Sequence, residues 1–233
     1  ISDMFKALFK NDQAMTVVVS IILVYTSLNI CGNLVLYFFR FDVGNEGAYS
    51  IFAAVAFAAQ VLVMMVIPLL RKRFSKSQLF ISGFIIQIAG FAVILIMAFA
   101  KLYTPQSWYI LCLPGILIYL GYGMLNVIMT IFLSDSVDYG EVMNGTREES
   151  VIFSMQTFTV KLASGVAVFL AGLVVDWIHL DTAAAVQTQD TLDALRMWMT
   201  IPSVILLIVG IFVFKRFYKL DDTRMEEIKS KLN

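Results

Sequence analysis

Lys161 is a lone cation in a long apolar stretch: between Glu149 and Asp176 no other residue is charged. An ammonium at the centre of a membrane helix costs about 2.5–3.5 kcal/mol on insertion scales. Each Leu or Phe in the same helix returns only about 0.3–0.6 kcal/mol. Such a residue is neutral, or faces water and a substrate, or pairs with an acid on another segment. Thr157 and Ser164 share its helical face, and Gln156 lies just beside it. Two more polar rows recur at intervals of three and four: Thr26, Asn29, Asn33 and Tyr37, then Tyr119, Tyr122, Asn126 and Thr130. Taken singly, these side chains suit hydrogen bonding between packed helices. Three such rows on three different helices suit a shared aqueous cavity.

A second kind of chemistry sits in the polar stretch "DSVDYGEVMNGTREES", residues 135–150. Asp135, Asp138, Glu141 and Glu149 surround one cation, Arg147, and the pattern reads as a loop of pairable charges. Asp135, Asp138 and Glu141 recur every three residues, which is not the alternating spacing of a calcium loop. No phosphate-binding glycine loop, nucleophile–base set or metal-ligand cluster is visible, so an enzyme is not expected. "LGYG" at 120–123 lacks the preceding Thr-Val of a potassium filter and lies inside a full apolar run.

The elements that must position these residues follow from composition. Hydrophobic residues make up 60% of the chain and charged ones 15%, far from the roughly 25% charge of soluble domains. The charges cluster largely between six long apolar runs, each long enough for the roughly 20 residues a spanning helix needs. They lie near 14–39, 47–70, 77–100, 108–133, 150–177 and 195–214. None alternates in the way a barrel strand would, so the fold class expected is an all-α membrane protein. Residues 1–13 read as a cytoplasmic lead-in, 14–216 as the six-helix bundle and 217–233 as a cytoplasmic tail. Lys6, Lys10, Arg71, Lys72, Arg73, Lys76, Arg147 and the basic tail fall on one side, against Arg40, Lys101 and Arg196 on the other. That bias predicts cytoplasmic termini. Trp108, Trp177 and Trp198 fall at span ends, as interfacial aromatics do. Cys31 and Cys112 show no paired spacing and read as packing residues.

Residues 134–165, "SDSVDYGEVMNGTREESVIFSMQTFTVKLASG", resemble the signature of the glycoside–pentoside–hexuronide:cation symporters, the melibiose-permease group of the major facilitator superfamily. The matching positions are Asp135, Asp138, Tyr139, Glu141, Gly145, Arg147, Glu149 and Lys161. "FKALFKND", residues 5–12, resembles the lead-in to the second half of that twelve-helix fold. The resemblance implies a sugar or glycoside symporter coupled to Na+ or H+ in a bacterial cytoplasmic membrane, with this chain as its C-terminal half. It implies no organic cofactor and no nucleic acid. The partners implied are the bilayer, a sugar, and an N-terminal half carrying the carboxylates that bind the coupling cation. Lys161 would reach toward those carboxylates and couple cation to sugar. Gln156, Thr157, Asn126, Tyr122, Tyr25, Asn29 and Asn33 would offer amides and hydroxyls to the sugar. Some sugar carriers of the group place an aromatic ring where Asn126 stands, so the melibiose label is not carried over. Asp135, Asp138, Tyr139, Glu141, Arg147 and Glu149 would close the cytoplasmic mouth, with Arg147 pairing to Asp135, Asp138 or an acid of the other half. The rival reading is a six-span channel or pore subunit, which lacks a visible filter or charged ring.

Overall fold

Backbone amides in lipid must bond within their own segment, so apolar runs of this length become helices. A computed structural model describes residues 10–232; Lys6 and the rest of stretch 1–9 lie outside the described residues. Helix α1 spans Asp12–Tyr37, capped by Asn11, whose side-chain oxygen accepts the Ala14 N–H at 2.9 Å. A π-helical turn, Phe38–Val43, prolongs it until Gly44 stops it at φ 72°. Helix α2 is Ala48–Leu70. Helix α3, Lys76–Phe99, opens with a reciprocal capping box between Ser75 and Gln78. A short 3-10 turn, Trp108–Leu111, leads into α4, Cys112–Asn144. Helices α5, Glu149–Trp177, and α6, Gln189–Phe217, follow, and α7, Asp222–Leu232, ends the described chain. The first six are long and apolar enough to cross a membrane. They form an all-α six-span membrane domain.

The principal packing partners reveal an internal symmetry. α1 packs against α4, α5 and α6; α4 packs against α1, α2 and α3; α3 also meets α6. Exchanging α1 with α4, α2 with α5 and α3 with α6 leaves this pattern unchanged. Successive spans run in opposite directions, so the two three-helix units are inverted relative to one another. Inverted repeats of this kind build transporter folds, and the arrangement is consistent with one half of a twelve-helix carrier. Glycine brings the α3–α4 pair close. A Cβ on Gly121 would lie 2.5 Å from the Gly83 carbonyl oxygen, so the two backbones touch there. The outer faces carry exposed Leu62, Met65, Leu69, Ile85, Ile96 and Phe212, as a lipid-facing surface requires.

Two segments differ from the sequence expectation. The acidic stretch is not a loop from Asp135 onward: α4 continues through it to Asn144. Gly145, at φ 71°, then terminates the helix in the left-handed conformation, as its reading as a helix-end residue anticipates. Only 145–148 connect α4 to α5. Helix α6 starts at Gln189, six residues before the expected Leu195, because the Thr188 side chain accepts the Thr191 N–H at 3.2 Å and caps it. The tail is also folded. Leu220, Met225 and Ile228 make a small core against Tyr139, Val142 and Tyr218.

Candidate functional site

The bundle has a near end, holding Asn11, the α2–α3 and α4–α5 connections and α7, and a far end, holding the other connections. Midway between them the polar rows of α1 and α4 meet. The Asn126 amide donates to the Tyr25 hydroxyl at 2.5 Å. The Tyr122 ring meets Tyr25 edge-on, centroids 5.5 Å apart. One helical turn on, Asn29 donates to the Tyr25 carbonyl and Asn33 to the Asn29 carbonyl, each at 2.7 Å. Each asparagine thereby satisfies one N–H on its own helix and keeps its side-chain oxygen as an acceptor. Thr130 donates to the Asn126 carbonyl at 3.1 Å, and Gln156 of α5 reaches the Thr130 hydroxyl at 3.4 Å. The structure thus joins Tyr25, Tyr122 and Asn126 in one node and ties Gln156 to it through Thr130. Thr130 did not figure among the expected site residues, although its place in the α4 row marked it.

Thr157 and Lys161 stand on an exposed face of α5. Thr157 donates back to the Phe153 carbonyl at 3.3 Å. The Lys161 ammonium makes no hydrogen bond or ion pair among the described residues. Asn33 sits farther along α1 and borders a separate cavity toward the far end. The arrangement offers hydroxyls, amides and one free cation along a groove, which is chemistry for binding hydroxyl-rich or anionic groups.

At the near end the expected mouth residues divide into two sets. Arg147 bridges Glu141 at 2.8 Å, Asp138 at 3.0 Å and Glu149 at 3.2 Å, all in solvent-accessible positions. Glu141, Asp138 and Glu149 together raise the Arg147 pKa above its ordinary value. Asp135 does not join them. It is buried and forms its ion pair with Lys76, at the first turn of α3. Asp222 of α7 extends this pair, 3.4 Å from both Lys76 and Arg71. Burial pushes the Asp222 carboxyl up, but Lys76 and Arg71 outweigh it and hold the pKa below the ordinary carboxylate value. Tyr218 is pushed up by burial and by the nearby charges of Asp135 and Asp222. Tyr139 packs on the α7 core. No sequence signal linked Lys76 to Asp135, since 59 residues separate them.

The far end holds a network that sequence reasoning missed. Arg196, counted among the far-side charges at the start of its run, is buried in α6 and holds Asp42 through two bonds of 2.8 and 2.5 Å. Tyr103 donates to the same carboxylate at 2.6 Å, and Asp193 takes the third guanidinium bond at 2.7 Å. Among the described residues no group of three or more His, Cys, Asp or Glu side chains is arranged to hold a metal ion.

Comparison with known proteins agrees with this geometry. A family model described as MFS/sugar transport protein matches residues 1–222. An uncharacterised symporter, YjmB, of Bacillus subtilis is 25% identical over the whole chain and 49% of its own length. The raffinose carrier protein of Pediococcus pentosaceus is 23% identical over the whole chain and 35% of its own length. The isoprimeverose transporter of Lactiplantibacillus pentosus is 25% identical over 93% of the chain and 43% of its own length. The chain spans about half the length of these curated relatives, or less. Six spans in an inverted repeat, a polar node at their middle and a family match over nearly the whole chain converge: this chain belongs to the MFS/sugar transport proteins.

Proposed function

We propose that this chain is the C-terminal six-helix half of a symporter that moves a sugar or glycoside together with Na+ or H+ across a bacterial cytoplasmic membrane. The observation that carries the proposal is Lys161: an exposed cation, unpaired among the described residues, in the middle of a spanning helix that also contacts the Tyr25–Tyr122–Asn126 node through Gln156. Leu would insert more favourably at that position, so retaining a lysine calls for a ligand. Carboxylates on a preceding half would supply it, and a cation bound there would compete or cooperate with Lys161 for the same oxygens. Sugar hydroxyls would meet Tyr25, Tyr122, Asn126, Asn29, Gln156 and Thr157. Alternating access would rock the two halves about this midplane site, driven by differential binding to loaded and empty states. Both termini would face the cytoplasm, so Arg147 with Asp138, Glu141 and Glu149 would sit at the cytoplasmic mouth beside the Lys76–Asp135 pair. The names of the relatives, carriers of raffinose and isoprimeverose and a symporter, support this reading.

The test is uphill accumulation from a panel of radiolabelled glycosides in cells making the native protein that contains this chain. Lys161→Leu is expected to reach the membrane at normal levels and to lose both accumulation and cation stimulation of sugar binding. Lys161→Arg is expected to fail as well, because a permanently charged planar fork does not replace a compact ammonium. Normal accumulation with normal cation dependence in Lys161→Leu overturns the coupling role.

A further inference from the structure

We propose that the groove between α1 and α5 at the far end is a second sugar-binding station, a vestibule that engages a hydroxyl-rich ring before it reaches the midplane node. This rests on the sugar-carrier reading above. The groove forms an open cavity of about 530 Å³ bordered by Asn33, Tyr37, Val168, Gly172, Val175 and Asp176. That volume lies within the roughly 300–1,000 Å³ of small-molecule sites.

Two helical rows converge on it. On α1, Tyr25, Asn29, Asn33 and Tyr37 follow one another at intervals of four, so the row that forms the node runs on into the groove. On α5, Lys161, Val168, Gly172 and Asp176 recur at intervals of seven and four, so the Lys161 face also runs on into it. The polar row on α1 therefore joins vestibule and node.

The lining has the chemistry of carbohydrate recognition. The Tyr37 ring lies near-parallel to Phe41, centroids 6.5 Å apart at 7°, and Phe41 lies under the Arg40 guanidinium at 5.0 Å. An aromatic ring offers a flat apolar surface to the C–H face of a sugar. Asp176 presents a carboxylate that makes no hydrogen bond or ion pair among the described residues, and Asn33 keeps its side-chain oxygen free. A carboxylate accepts strong hydrogen bonds from hydroxyls. Gly172 leaves the groove open, since a Cβ there would meet no atom within 4 Å. The cavity thus has both an aromatic ring and an acid in its lining. A bound cation would use the acid and leave the ring without a role.

The experiment compares transport of raffinose and of methyl β-galactoside by the native protein in right-side-out and inverted vesicles. Gly172→Phe fills the groove, Tyr37→Ala removes the ring and Asp176→Asn removes the charge while keeping the shape. Loss of one stacking or hydrogen-bonding partner should raise the half-saturation concentration about fivefold for transport starting at the far end. The half-saturation from the near end should stay unchanged, and the ratio of maximal rates in the two directions should shift by the same factor as the ratio of half-saturations, because no variant alters the overall equilibrium. Raffinose should be affected more than the monosaccharide glycoside, because it fills more of the groove. Asn126→Leu, at the node, should instead lose transport in both directions. Unchanged far-end half-saturation in both Gly172→Phe and Asp176→Asn, with uptake intact, overturns the vestibule and leaves the carrier reading standing. Equal changes from both sides also overturn it, since they mark a helix-packing role. A shift in Na+ dependence alone, without any change toward sugar, assigns the groove to the cation and overturns the proposal. If the unmodified protein neither binds nor moves any glycoside of the panel, the carrier reading itself fails and the vestibule with it.

Discussion

Arg196 and Arg147 each bind carboxylates, yet they sit in opposite environments. Arg196 is 2% exposed and its partner Asp42 is buried in the same way, with Tyr103 and Asp193 completing the bonds. Arg147 has a side chain 47% exposed, on a connection of four residues, with three acids around it. The first network joins α6, the end of α1 and the connection after α3. The second joins the last turns of α4 to the first of α5. Water decides what each can do. A buried pair has no alternative partners, so it fixes its helices in one arrangement. An exposed cluster exchanges protein partners for water at little cost, so it can open and reclose. The Lys76–Asp135 pair lies between these extremes: its two side chains are 6% and 7% exposed, but Asp222 links them to a half-exposed surface helix.

Breaking the far-end network should have the largest effect. Arg196→Met leaves the Asp42 carboxylate buried with only Tyr103 to donate, and should cost about 3–5 kcal/mol in unfolding measured in detergent. Replacing both partners, Arg196→Met with Asp42→Leu, should recover most of the loss. If the single and double variants are equally unstable, shape rather than charge holds this end. Lys76→Met comes next and should cost about 3 kcal/mol, since Asp135 then lacks a cation. Asp222→Asn should cost less, within about 1 kcal/mol, because that carboxylate is partly exposed.

A pH series sharpens the same contrast. The folded-state pKa of Asp222 lies below its ordinary value of 3.8. Its contribution is therefore complete above that value and is lost as pH falls through the depressed one. Proteolytic cleavage at α7 should rise in acid, and Asp222→Asn should remove that pH dependence. The smallest effect on folding should come from Arg147→Ala, whose unfolding should match the parent. Its signature should appear instead as greater thiol labelling of near-end cysteine probes, with the difference from the parent narrowing at high salt, which screens the parent's cluster. Unchanged labelling would reduce the cluster to a spacer.

The sequence made the six spans legible because lipid demands long apolar runs, and each run is interrupted by charge at its ends. It also marked the Asn29 and Asn126 faces, since helical periodicity places such residues on one side; the α1 row was read from Thr26, whereas the node is built on its neighbour Tyr25. It hid what depends on distance along the chain or on depth. Nothing local pairs Lys76 with Asp135 or Arg196 with Asp42. Arg196 reads as a far-side charge because it stands near an end of its apolar run. Its Thr188 cap, a standard start signal, lies in a polar stretch that resembles any other connection. The α4 extension was misread for a related reason: Asp, Glu and Tyr indicate solvent, but they do not indicate an end to the backbone helix. The helix-stopping signal was Gly145, ten residues after the first acid.

The length of α4 has a mechanical consequence. At about 1.5 Å per residue, a 33-residue helix is about 50 Å long and outreaches the roughly 30 Å apolar core of a bilayer. Asn126 and Glu141 ride on the same rod, about 22 Å apart along its axis. A tilt of about 10° pivoting at Asn126 would sweep the Glu141 end by about 4 Å, more than the reach of a hydrogen bond. Helix α7, seated on Tyr139 and Val142, would travel with it. In the proposed rocking mechanism the rod would turn where Asn126 meets the Tyr25 hydroxyl, with the acids that hold Arg147 on its arm.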